Sequence, residues 1–87
     1  MPTKYEPLET YLINFPATAN EVLLTFKQVE DVIGAPLPVS ARTYREWWAN
    51  EGVNTTHSQA KAWFNAGFVV DSVHQDGDNA RVAFKRR

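Results

Sequence analysis

The sequence predicts a single small α+β domain in the order helix, strand, helix, helix, helix, strand, strand. Three observations predict it. Apolar residues recur at helical spacing in the first 15 positions, a short alternating segment follows, and two β-rich segments close the chain around a Gly-containing turn. At 87 residues there is room for one core only.

Tyr5, Leu8, Leu12 and Phe15 repeat at spacings of three and four, the mark of an amphipathic helix. Pro7 suits its first turn, where a missing N–H costs nothing. Pro16 ends it by pushing the preceding residue out of the helical region. Val22, Leu24 and Phe26 then alternate with Glu21, Leu23 and Thr25 as a half-buried strand. Thr25 and Gln28 have capping-box spacing, which starts a second helix near Phe26 with Val29, Val32 and Ile33 on its apolar face. Gly34 stands where a C-terminal cap belongs. After the stiff Ala35–Pro38 connector, Ser40 can cap a third helix reaching Asn50. Residues 51–55 read as a loop. Thr56 and Gln59 repeat the capping-box spacing and open a fourth helix that Gly67 closes. Phe68–His74 and Ala80–Lys85 form a hairpin around residues 75–79. A helix pair followed by a terminal hairpin makes the predicted fold winged-helix-like, with one added helix.

Composition narrows the functional classes. With 44% hydrophobic, 13% aromatic and 22% charged residues, the chain has the make-up of a folded domain. It has no cysteine, so disulfides, thiolate zinc sites and cysteine nucleophiles are excluded. No apolar run approaches the ~20 residues of a membrane span, and the polar, proline-containing start is unlike a signal peptide. The expected location is cytoplasmic, with no membrane partner. A net charge of −1 gives little general affinity for nucleic acid. The charge is uneven: residues 1–39 set two lysines against five carboxylates, a net of −3, and residues 40–87 set seven basic groups against five, a net of +2.

All three tryptophans lie between Ser40 and Gly67, interleaved with Arg42, Arg45, Asn50, His57 and Gln59. A core needs aromatic residues but not forked polar groups between them. A surface that holds a planar polar ligand uses both. Arg can fork onto guanine and Asn onto adenine, while an aromatic ring can stack on any base. This assigns Arg42, Arg45 and Lys61 to phosphate or base edges, Trp48 to stacking, and Asn50, His57 and Gln59 to polar readout. Each has a plainer role as well. Adjacent Trp47 and Trp48 point about 100° apart on a helix and can clamp helices together. Arg42 can pair with Glu46, Asn50 can end its helix, and His57–Gln59 can be a polar first turn. His57 and His74 are too few for a metal site, and no catalytic motif stands out. No cofactor is expected. The acidic hairpin tip, Asp76 and Asp78, is poorly suited to lie on phosphates.

The combined motifs resemble a family of small bacterial and phage domains of unknown function. They run as Lys4-Tyr5-x-Pro7-Leu8, Leu37-Pro38-x-Ser40-Ala41-Arg42, Trp47-Trp48-x-Asn50, and His57-Ser58-Gln59-Ala60 with Trp63, Ala66 and Gly67. The resemblance covers nearly the whole chain. It implies relatives that stand alone or are attached to nuclease-like and other DNA-related proteins. The resulting expectation is a non-enzymatic recognition domain for nucleic acid, DNA favoured over RNA. The alternative is a protein–protein interaction module, since Trp and Arg also mark protein interfaces.

Overall fold

The computed structural model describes residues 3–52 and 55–87; Val53 and Asn54 of the expected loop lie outside them. Helix α1 (Glu6–Ile13) carries Pro7 in its first turn and buries Leu8 and Leu12, with Tyr5 buried just before it. Strand β1 (Glu21–Thr25) alternates exposed and buried residues, sending Val22 and Leu24 inward. Thr25 ends the strand and starts α2 (Phe26–Ile33). Its side chain accepts the Gln28 N–H at 3.0 Å, and the Gln28 side chain accepts the Thr25 N–H at 2.8 Å. The predicted capping box is therefore formed, and Gly34 closes α2 in the left-handed conformation with φ 72°.

The helix expected from Ser40 to Asn50 is divided. Helix α3 covers only Val39–Thr43, Tyr44 is extended, and Arg45–Trp48 forms a 3₁₀ turn. The cause is competition for the carbonyls that a continuous helix would use. The Ala41 carbonyl accepts from the Trp48 indole N–H at 2.8 Å and from the Gln75 amide at 2.9 Å. The same amide donates to the Tyr44 carbonyl at 3.0 Å. The break drops Trp48 into the core and leaves Trp47 at its margin, half-buried.

Helix α4 (Ser58–Asn65) has His57 as its N-cap, one residue after the predicted Thr56, with no side-chain cap; the Thr56–Gln59 box is not made. Gly67 follows it with φ 87°, a conformation cheap only for glycine. Strands β2 (Phe68–His74) and β3 (Arg81–Arg86) are joined by a segment with a 3₁₀ turn at Gly77–Asn79. The sheet runs β1-β3-β2, with both pairings antiparallel, so the last strand lies in the middle. Asp71 is an extra residue in β2: Val70 faces Phe84 and Ser72 faces Ala83, which bends the strand there.

One face of the sheet, bearing Val22, Leu24, Val70, Val82 and Phe84, meets the helices around an aromatic stack. Phe26 lies on Trp48 at 5.1 Å and Trp48 on Trp63 at 5.8 Å, both nearly parallel, and Phe84 follows at 5.7 Å. The basic C-terminus is tied down. Arg86 sits 4.6 Å over Phe68 and donates to the Pro16 and Ala19 carbonyls. Arg87 sits 4.2 Å over Phe64 and donates to its carbonyl. These two cations hold the end of β3 against the body.

Candidate functional site

The break between α3 and the 3₁₀ turn opens a groove against the start of α4. Its volume is about 550 Å³, and it is lined by Ser40, Tyr44, Glu46, Trp47, His57 and Gln59. Tyr44 is 56% exposed because the extended backbone swings it outward. Trp47 is fixed from behind: its ring meets Tyr5 at 5.7 Å and Trp48 at 4.7 Å, both edge to face. The Gln59 amide points back to the Trp47 carbonyl, a long contact at 3.4 Å. One wall thus joins a rigid indole to amide, hydroxyl and carboxylate groups.

Of the seven residues assigned from the sequence, only His57 and Gln59 line this groove. Trp48 is 0% exposed and cannot stack a ligand in the folded protein; the boundary indole is Trp47. Asn50 is also occupied. Its amide donates to the Val70 carbonyl at 2.8 Å and accepts the Val70 N–H at 2.7 Å, taking the place of a further strand at the edge of β2. A side chain held by both ends has no fork left for a base. Arg42 turns away from the groove and donates to Glu30 at 3.1 Å, with its guanidinium 5.4 Å from the Phe26 ring centre. Its partner is Glu30, twelve residues back, and not Glu46. Lys61 lines a separate cleft together with Glu6 and Glu9 of α1, where the carboxylates offset its charge. Arg45 is exposed on the 3₁₀ turn, in a different element from Arg42, and does not line the groove.

His57 enters the groove already paired. Its Nδ1 lies 2.8 and 3.0 Å from the two oxygens of Glu51, and the Thr55 hydroxyl donates to the same carboxylate. The Thr55 hydroxyl first, and His57 second, hold the Glu51 carboxyl below its ordinary value. The cluster braces the segment before α4 rather than presenting a free imidazole. No group of three or more His, Asp or Glu is placed to hold a metal among the described residues. Among the described residues no helix is long and apolar enough to cross a membrane.

The Glu30 carboxylate is the second braced acid. It accepts the Leu37 N–H at 2.7 Å, which is the main cause holding its carboxyl below the ordinary value of 4.5; burial opposes this and Arg42 adds to it. A depressed carboxylate stabilises the fold above its unfolded pKa, and that contribution is lost as pH falls through the folded value. Glu30 and Glu51 shift in the same direction, so stability is expected to fall on acidification below pH 4.5. Glu30→Gln is expected to be about 1–2 kcal/mol less stable at pH 7 and to show a shallower acid decline. Denaturant melts of both proteins between pH 3 and pH 7 check this.

Fold and groove together define a small α+β domain with an open, aromatic-walled surface site and no assembled metal centre among the described residues. The chain belongs to the family described as Domain of unknown function (DUF7662), which matches residues 5–86. No curated protein and no solved structure matches it.

Proposed function

We propose that this domain is a non-enzymatic recognition module that binds nucleic acid, DNA by preference, through the groove at Trp47. The supporting observation is the rigid half-buried indole set beside exposed Tyr44 and the Gln59 amide, a wall suited to one flat polar ring. Base stacking on such a ring is worth about 1–3 kcal/mol. Phosphate contacts contribute little here, because Arg42 and Lys61 face other surfaces and Glu46 lies in the groove. The target is therefore an unpaired or extruded base in single-stranded or distorted DNA. The helices and three-stranded sheet support a winged-helix-like reading of the fold. Major-groove docking through α4 is less suitable, since Lys61 shares its surface with Glu6 and Glu9.

A protein partner is the second reading. Exposed Tyr44 beside half-buried Trp47 gives the groove aromatic surface of the kind that protein interfaces cover. The experiment is a titration with single- and double-stranded DNA and RNA, followed by tryptophan fluorescence at two salt concentrations. Trp48 and Trp63 are sealed in the core, so Trp47 is the indole placed to respond. Saturable quenching by single strands, with a shallow salt slope from few phosphate contacts, is expected. A flat response from folded protein favours the protein partner.

A further inference from the structure

We infer that the groove selects guanine among unpaired bases and that Glu46 is the residue that makes the selection. This rests on the nucleic-acid reading of the same groove. Glu46 lines the groove with Gln59 and Ser40, is exposed, and makes no ion pair among the described residues. A free carboxylate beside a stacking ring repels phosphate and accepts hydrogen bonds without donating any. The ligand edge that meets it must therefore carry donors.

The four bases differ sharply on this point. Guanine presents N1–H and the N2 amino group side by side, two parallel donors that match the two oxygens of a carboxylate. Its O6, next to N1, is an acceptor that the Gln59 amide or the Ser40 hydroxyl can serve. Cytosine and adenine each offer one amino group beside a ring acceptor, so one carboxylate oxygen gains a partner and the other meets a lone pair. Thymine and uracil flank their single N–H with two carbonyls and are the worst match. The order expected at the groove is guanine first, cytosine and adenine next, thymine last. The recognised chemistry is the guanine Watson–Crick edge, carried by a strand or by a free nucleotide. In a duplex that edge is paired, which agrees with a preference for single strands.

The test uses labelled thymidine hexamers with one central dG, dC, dA or dT, titrated with the wild-type domain and with Glu46→Gln, both checked by circular dichroism. Guanosine monophosphate is added as a competitor to separate a strand from a free nucleotide as the source. The dG hexamer is expected to bind about tenfold more tightly than the dT hexamer. Glu46→Gln is expected to abolish that preference by weakening the dG hexamer about tenfold, since the two parallel acceptors are lost. Equal binding of all four hexamers overturns the guanine assignment and leaves the nucleic-acid reading in place. A preference for dG that survives in Glu46→Gln overturns the role of Glu46. Binding of none of the hexamers removes both this inference and the reading on which it rests.

Discussion

Trp48→Ala is expected to destabilise the domain by about 3–5 kcal/mol, the range for removing a buried aromatic side chain. Trp48 is wholly enclosed, stacked between Phe26 and Trp63, and its indole N–H bonds the Ala41 carbonyl at 2.8 Å. The substitution opens a cavity in the centre of the aromatic stack and removes a donor that keeps α3 from running on. Domains hold only about 0.05–0.15 kcal/mol per residue, so a chain of this size loses a large share of its stability. Denaturant melts should place the variant near or beyond unfolding at room temperature. Trp48→Phe should recover part of the loss by refilling the space without restoring the hydrogen bond. A variant as stable as the wild type would show that Trp48 is not the centre of the core.

Asn50→Ala is the second large effect, expected at about 2–3 kcal/mol although the residue sits at the surface. The side chain satisfies both backbone groups of Val70, and alanine leaves an N–H and a carbonyl at the edge of β2 without their partner. Asn50→Asp should also destabilise, because a carboxylate can accept the Val70 N–H but repels its carbonyl. The damage should be local as well as global. Amide hydrogen exchange at Val70, beside the Asp71 bulge, should accelerate in Asn50→Ala more than exchange at Val82 in the central strand. Protection of Val70 unchanged by the substitution would mean that the edge holds without the side chain.

Both residues belong to the Trp-Trp-x-Asn motif, and they show where the sequence could be read and where it could not. Local signals carried most of the fold. Alternation in Glu21–Thr25, the Thr25–Gln28 box and the Gly34 and Gly67 closures all depend on neighbours in the chain, and each formed as expected. The division of the third helix depended on Gln75, 34 residues downstream of Ala41, reaching back to its carbonyl. No window around Ser40–Asn50 contains that contact. The same break exchanged the roles of the two tryptophans, placing Trp48 inside and Trp47 at the groove. A continuous helix does not decide between two adjacent residues, whereas an extended Tyr44 does.

The candidate site was legible in its location and mostly not in its members. The aromatic and polar stretch does form the groove, and His57 and Gln59 line it. Arg42 and Asn50 were drawn away by Glu30 and Val70, partners remote in sequence. Tyr44, Glu46, Ser40 and Trp47 complete the groove instead. Glu46 was visible only as a possible partner for Arg42. The preference of Arg42 for a carboxylate fixed by the Leu37 N–H left Glu46 free, and spacing alone does not reveal that competition.

The proposed recognition surface is the Trp47 groove. Fluorescence anisotropy of a labelled single-stranded oligonucleotide, read against the wild-type domain and the Tyr44→Ala/Gln59→Ala variant, tests it most directly. Neither side chain is fully buried, so the variant is expected to stay folded. Affinity should fall at least about tenfold, since one stacking contact and one polar contact are lost together. A folded variant that binds as tightly as the wild type would move the site off this groove.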